Sequence, residues 1–378
     1  MENLKNYQEN CTEELHKLLF DLVAIPAPSH HEEKRAEFCK KWLEEQGAEG
    51  VYIDEAKNCV YPINCEESDD ITVFMAHTDT VFPDAEGFAV KVEDGKFMAP
   101  GVGDDTASLA IMMMVTKYII NNKLAPRGGV LIVANSCEEG LGNLKGTKQI
   151  MKDYAGRIKR FYTFDGKYDR VCCQCVGSHR YSVTCETVGG HSFGAFGNGN
   201  AIAELAKVIA ELYSVAVPRI GESKTTYNVG LIEGGTSVNT IAQSASMLYE
   251  YRSDNAECLA IMEKVFESVI NRANARGKGK FTVETVGIRP CGGDVDAEIH
   301  EAMISRVVEI CEKHTGITCM RGKGSTDCNV PMSLGVPAVC PGIYMGGGAH
   351  TREEWVEIAS LPAGVRICSD IMLDYFEI

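Results

Sequence analysis

Two apolar runs and one further strand-like stretch in the first half of this 378-residue chain lead into histidine or acid. Ile71–Ala76 runs into His77–Thr78–Asp79, Gly129–Asn135 into Ser136–Cys137–Glu138–Glu139–Gly140, and 159–164 into Asp165. Short, unbroken apolar runs of this kind fit strands covered on both faces. Helical stretches separate them, and that β-α-β rhythm means an α/β domain with a largely parallel sheet. In such a sheet, ligands bind at the carboxyl ends of the strands, where these polar groups stand.

The remaining elements follow from period and punctuation. Residues 13–24 carry apolar positions at helical spacing and stop before Ile25–Pro26–Ala27–Pro28. Ser29 reads as an N-cap for a helix over 30–46 that ends at Gly47. Strands are expected at 50–54 and 58–63, and a hairpin at Gly87–Phe97. The glycine-rich turn Ala99–Thr106 leads into the apolar helix Ala107–Ile120, and a further helix falls near 144–154.

The texture changes near residue 178. Residues 179–188 alternate with period two. A helix at 199–213, strands at 225–232 and 245–252, a helix at 255–275 and a strand at 280–287 follow. Two helices on an antiparallel sheet describe an α+β insert over 179–290, a permissible domain size. After Pro290 the α/β texture resumes, with helical 296–315, a strand near 317–320, apolar 336–340 and a last helix at 360–376. The expected domains are therefore 1–178 with 291–378, interrupted by 179–290.

Composition excludes some functions. A net charge of −16 with no offsetting basic cluster disfavours nucleic acid and anionic membrane as partners. No apolar stretch is long enough to span a bilayer, and the polar, acidic N-terminus has no signal-peptide core, so the expected location is cytoplasmic. Sixteen cysteines then read as reduced, small hydrophobes. Cys172–Cys173–Gln174–Cys175 has no second Cys-x-x-Cys pair to complete a zinc site, so it reads as an alternating strand.

The loops after the apolar segments collect His77, Asp104, Asp105, Glu138, Glu139, Asp165 and His350. Singly, each is an ordinary solvated residue. Together, the carboxylates would repel and raise one another's pKa unless cations neutralised them. Mixed imidazole and carboxylate ligation suits two divalent ions, zinc first, with cobalt or manganese as alternatives. Asp79, two residues beyond His77, fits the carboxylate that fixes a ligating imidazole's tautomer. Glu138 and Glu139 cannot both face a site from an ideal strand, so the chain must bend there, and Gly140 permits it. The residues alone do not say which of the two is the ligand. Ser29, Ser136 and Ser325 have no adjacent His–Asp signature and are poor nucleophile candidates.

The ordered pattern His77-x-Asp79, Gly103–Asp104–Asp105, Glu138–Glu139–Gly140, Asp165 and His350-x-x-x-Glu354 resembles the co-catalytic zinc exopeptidase and deacylase family. Its members include peptidase T, carboxypeptidase G, acetylornithine deacetylase and succinyl-diaminopimelate desuccinylase. The resemblance implies a zinc-exopeptidase-like catalytic domain with an inserted lid or dimerisation domain, and a homodimer formed through that insert. It implies that His77 and Asp165 bind one zinc, Glu139 and His350 the other, and that Asp104 bridges both. Asp79 would orient His77, and Glu138 would be the general base.

Within the insert, the resemblance implies that His191 of Gly190–His191–Ser192 polarises the scissile carbonyl. Asn239 and Arg252 match substrate-contacting positions, and Asp327 a substrate-pocket loop. Where the family's bridging motif continues with Lys-Gly, this chain has Thr106–Ala107. Asp rather than Glu at 165 leans toward an aminopeptidase near peptidase T. The expected function is a zinc-dependent exopeptidase acting on short peptides. An N-acyl-amino-acid amidohydrolase, a carboxypeptidase, or a catalytically silent binding protein on the same fold are the alternatives.

Overall fold

The computed structural model describes residues 3–377. They form two compact units, 3–175 with 293–377, and Val176–Gly292.

The first unit is built on an eight-stranded sheet. Its spatial order is Tyr52–Ile53, Cys59–Ile63, Gly129–Asn135, Ile71–His77, Ile158–Thr163, Ala338–Pro341, Arg170–Cys175 and Met320–Gly324. The central strands Gly129–Asn135, Ile71–His77, Ile158–Thr163 and Ala338–Pro341 run parallel, and antiparallel pairings flank them. Every residue of Ile71–His77 and Gly129–Asn135 is buried, which is why these runs are continuously apolar.

Side chains still alternate along each strand. Phe74, Ala76, Ile132 and Ala134 join one hydrophobic core, and Val73, Met75, Leu131 and Val133 join another. The first core is closed by Thr106–Asn121, a helix buried along most of its length, together with Thr12–Val23 and Leu361–Leu373. Helix Lys145–Asp153 and the short helix Asn329–Ser333 contribute to the second.

The second unit is a four-stranded antiparallel sheet in the order Thr225–Gly234, Ser244–Ser253, Gly177–Glu186, Lys280–Arg289. Helices Ala201–Tyr213 and Ala256–Ala275 pack on it around Tyr181, Tyr249, Tyr251 and Phe266.

Several local expectations shift. The hairpin is confined to Lys91–Glu93 and Lys96–Met98, turning at Asp94 and Gly95. Gly87 and Phe88 are drawn away to the end of helix Thr12–Val23. There the Phe88 N–H donates to the Val23 carbonyl at 3.1 Å, and a Cβ on Gly87 would lie 1.9 Å from the Ala24 oxygen. The strand expected near 317–320 begins at Met320 and runs to Gly324. Ser29 does not cap the next helix, which starts at Glu33; His30 is left-handed and the Ser29 hydroxyl is used elsewhere. Helix Leu4–Asn10 and the short strands Gly346–Gly347 and Trp355–Glu357 carry too little periodicity to be read from sequence. Arg170–Cys175 is a strand, and none of the sixteen cysteines forms a disulfide among the described residues. No described helix is long and apolar enough to cross a membrane.

Candidate metal centre

Register brings the site together. His77 lies opposite Asn135, the last residue of its neighbouring strand. On the other side Met75 lies opposite Thr163, and the Phe164 N–H donates to the Met75 carbonyl at 2.7 Å. Asp165 is two residues beyond Thr163, as His77 is two beyond Met75. The loops carrying His77, Glu138–Glu139 and Asp165 therefore leave the sheet side by side.

His77 is 1% exposed. Its Nδ1 lies 3.1 Å from the Asp79 backbone oxygen and 3.4 Å from Asp79 Oδ1. Those acceptors favour a proton on Nδ1, which in the neutral ring leaves Nε2 to donate an electron pair. Nε2 faces Asp104 Oδ1 at 3.1 Å. The other oxygen of Asp104 lies 3.1 Å from His350 Nε2, and that same nitrogen is 3.0 Å from Glu139 Oε1. One carboxylate thus stands between two imidazoles, with one oxygen turned to each.

Asp104 is held by a clamp. Glu354 accepts the backbone N–H groups of Gly101 at 2.8 Å, Gly103 at 2.9 Å and Asp104 at 2.7 Å. A Cβ on Gly103 would meet both Glu354 and the Tyr344 ring at 3.0 Å, so the turn needs glycine to close on the clamp. Glu354 is visible in the sequence as the acid four residues beyond His350, but nothing local reveals that it grips a turn 250 residues away.

The bend at Glu138–Glu139 is made before the glutamates as well as after them. Cys137 is left-handed, with φ 58°, and Gly140 follows with φ 43°. The carboxylate of Asp79 accepts the Glu138 N–H at 2.9 Å on one oxygen and the Glu139 N–H at 3.0 Å on the other. The Ser29 hydroxyl adds a third bond to Asp79 at 2.6 Å. Asp79 therefore does more than the sequence suggested: its backbone oxygen meets His77 while its carboxylate fixes the turn that carries both glutamates.

The electrostatics fit a cation site. Burial pushes Glu139 up to about 7, and it raises Asp165 strongly, with repulsion from Asp104 adding to both. Bonds to Asp104 and then Glu139 raise His350 to about 11. Burial would lower His77, but Asp104 and Asp79 more than reverse it and carry it well above its ordinary value. Burial would likewise raise Asp104, yet His350 and His77 hold it well below the usual carboxylate range. In the absence of metal, two imidazolium groups thus compensate crowded carboxylates, a service that divalent ions would perform at the same nitrogens and oxygens. Donor atoms of His77, Asp104 and Glu139 all lie within 4.8 Å of one another. The donor set fits the imidazole and carboxylate chemistry of a zinc-type site.

Arg35 is a residue that sequence reasoning missed. Its buried guanidinium donates to the carbonyls of Thr78 and Ile25, each at 2.7 Å, and reaches the Thr106 hydroxyl at 3.5 Å. It puts a cation against the position where the resemblance led us to expect lysine.

The other expected site residues have different settings. Asp327 is 1% exposed. Its oxygens accept from Asn135 Nδ2, at 2.8 Å, and from the Thr147 hydroxyl. Matched by the resemblance to a substrate-pocket loop, it has both oxygens occupied by buried donors and braces the start of the glutamate loop from within. Burial, then the Glu138 charge, push it up to about 7.

His191, Asn239 and Arg252 belong to the second unit. His191 is exposed, and its Nδ1 accepts the N–H groups of Phe193 and Gly194, both at 3.3 Å. A neutral ring so arranged carries its proton on Nε2. Asn239 sits on the adjoining turn, where its backbone oxygen accepts the Ser192 N–H at 3.0 Å and its side chain accepts the Ser237 hydroxyl at 2.8 Å. Arg252 is paired with Glu250 through Nε at 2.9 Å and Nη2 at 3.1 Å.

A strand-end cluster of imidazoles and carboxylates on a largely parallel α/β sheet defines a metallo-hydrolase. The sequence model of Peptidase family M20/M25/M40 matches residues 73–374, and the chain belongs to that family, whose enzymes are metal-dependent. It is 25% identical over 365 residues to the uncharacterized protein YqjE of Bacillus subtilis, covering 90% of this chain and 92% of that one. It is 22% identical over 312 residues to a succinyl-diaminopimelate desuccinylase of Paraburkholderia xenovorans, covering 77% and 79%. Its fold is similar to the crystal structure of aminopeptidase PepT from Bacillus cereus, with TM-score 0.70, 23% identity, and coverage of 95% and 97%. Family membership makes its activity that of a peptidase or amidohydrolase in the broad sense.

Proposed function

We propose that the protein is an exopeptidase that uses two divalent ions to hydrolyse amide bonds of short peptides. The observation that carries this reading is Asp104, whose two oxygens each face a different imidazole at 3.1 Å. His77 and Asp165 would hold one ion and Glu139 and His350 the other, with Asp104 shared. When bound, the ions, zinc first and cobalt or manganese in its place, supply Lewis-acid polarisation of the scissile carbonyl and acidify the attacking water.

The chain's own groups do the rest. Glu138 takes the proton of that water and passes it to the departing amine. Asp79 keeps the Glu138 and Glu139 amides fixed, so the base and its neighbour hold separate directions. His191, with its proton on Nε2, offers a donor to the oxygen on which charge develops. Asn239 and Arg252 orient the substrate beside it. The unit Val176–Gly292 acts as lid and as the surface through which two copies pair.

A second reading, hydrolysis of N-acyl amino acids, is favoured by one observation: the likeness over 312 residues to a succinyl-diaminopimelate desuccinylase. The test of both is turnover of tripeptides against N-acyl amino acids by protein loaded with zinc, cobalt or manganese. Cleavage of tripeptides that disappears in Glu138→Ala supports the first reading. Cleavage of acyl amino acids alone supports the second, and hydrolysis undiminished in Glu138→Ala overturns the mechanism.

A further inference from the structure

A cavity of about 260 Å³ opens in the first unit beside two of the carboxylates just described. Asp104, Asp165 and Glu354 supply its acidic wall, Tyr344 and Trp355 its aromatic wall, and Lys167 its cation. Lys167 is the one basic side chain among the described residues lining it. The residue is exposed, and no described side chain pairs with its ammonium.

The backbone at Lys167 is nevertheless fixed. Residues Lys167 and Tyr344 form a parallel bridge. The Tyr168 N–H donates to the Tyr344 carbonyl at 3.0 Å, and the Ile343 N–H to the Gly166 carbonyl at 2.9 Å. Gly342 packs so closely that a Cβ there would lie 2.1 Å from the Lys167 oxygen. The chain thus holds the root of this side chain at the cavity wall, two residues from Asp165, and leaves its charged end uncommitted.

The carboxylates of the cavity already have tasks. Glu354 is engaged by three backbone N–H groups, and Asp104 by two imidazoles. Under the reading above, cations neutralise Asp104 and Asp165, and Lys167 becomes the uncompensated charge of the cavity. An ammonium in that position attracts a carboxylate and repels a free α-amino group. Tyr344 and Trp355 offer apolar walls to the carbon chain between that carboxylate and the scissile amide.

We propose that Lys167 selects amide substrates whose cavity-seated group carries a carboxylate, whether a dicarboxylic acyl group or an acidic amino-acid residue. The proposal rests on the amide-hydrolase reading and sharpens it, because it makes an anionic group beside the scissile bond the feature that is recognised.

Matched substrate pairs test it on the full-length, metal-loaded protein. The acyl arm sets N-succinylalanine against N-butanoylalanine, and the peptide arm glutamyl-alanyl-alanine against glutaminyl-alanyl-alanine. The wild type should favour the anionic member by roughly five- to ten-fold in kcat/KM in one arm, and that arm names the source of the carboxylate. In Lys167→Gln the ratio should fall toward one, in Lys167→Arg most of it should remain, and in Lys167→Glu it should invert. No preference in either arm, or one that survives in Lys167→Gln, overturns the proposal.

Calorimetric titration with succinate and with butanoate gives a readout without turnover, in which succinate should bind wild type more tightly than Lys167→Gln. If wild type hydrolyses none of the four substrates, the amide-hydrolase reading fails. Equal succinate affinity in the two proteins then overturns the role of Lys167 as well, while weaker binding to Lys167→Gln sustains its anion recognition.

Discussion

The carboxylate of Asp79 accepts the backbone N–H of Glu138 at 2.9 Å, so the residue two places after one metal-ligand candidate fixes the main chain of the proposed general base. With the Glu139 amide on its second oxygen, Asp79 spans the loops of two neighbouring strands. Replacing it by asparagine keeps one acceptor but turns an amide NH₂ toward a backbone N–H. We expect Asp79→Asn to lower kcat/KM by about 10–100-fold and to weaken metal binding as well, because both glutamates lose their bearing. Kinetics combined with a chelator titration checks this; unchanged metal affinity would limit Asp79 to the Glu138 side.

Glu138 carries a sharper expectation. Glu138→Gln leaves the Asp79 bond to its backbone in place and removes only the proton acceptor. The rate of amide hydrolysis should fall by about 10²–10⁴-fold with metal content preserved. Metal analysis by mass spectrometry beside steady-state kinetics separates this from loss of the site.

Loading of metal should depend on pH with a definite sign. In the metal-free protein His350 keeps its proton to about pH 11, through Asp104 first and Glu139 next. A cation at that nitrogen expels the proton, so the apparent affinity rises with pH across the neutral range, by about one decade per pH unit for each proton released. The metal-free fold follows the opposite trend: the contribution of this raised pKa is fully present below about 6.5 and fades as pH climbs toward 11. Chelator competition at several pH values reads the first effect, and thermal unfolding of metal-free protein the second.

Glu354 should act on metal binding through the turn that presents Asp104. Glu354→Ala leaves the amides of Gly101, Gly103 and Asp104 without their acceptor, and the turn that presents Asp104 loosens. Metal affinity should drop by roughly 10–100-fold, with a smaller loss for Glu354→Gln, which retains an acceptor oxygen.

Arg35 is expected to matter for stability first. Arg35→Met fills similar space but strands the carbonyls of Thr78 and Ile25. Two buried acceptors without donors cost about 2–6 kcal/mol in total, which urea unfolding would measure.

The central strands and the long helices were legible because their signals are periodic and local. Ile71–His77 and Gly129–Asn135 declare themselves by burial on both faces. His77, Asp104, Glu139 and His350 were legible as candidates because each ends an apolar segment or sits in a glycine-rich loop, and the structure brings these four together. The rest depends on contacts that no local pattern encodes. Glu354 looks like any loop acid until the turn at Gly101 closes on it. Arg35 looks like a surface arginine of an amphipathic helix, and its burial follows from where Thr78 and Ile25 leave their elements. The partners of Asp327 were hidden for the same reason: Asn135 and Thr147, which occupy it, lie far away in sequence.

The place of the strand Ala338–Pro341, between Ile158–Thr163 and Arg170–Cys175, has a consequence for the order in which a nascent chain matures. A ribosome that has delivered everything through Gly292 has supplied the whole of Val176–Gly292, one continuous stretch. The larger unit at that moment lacks an inner strand of its sheet, the helix Leu361–Leu373 that closes one core, and His350. The younger domain can therefore finish folding while the older one waits, inverting the usual N-terminal-first sequence. Chains truncated at residue 292 should yield a protease-resistant fragment spanning the insert and readily digested N-terminal residues, and resistance of both parts alike would refute this order.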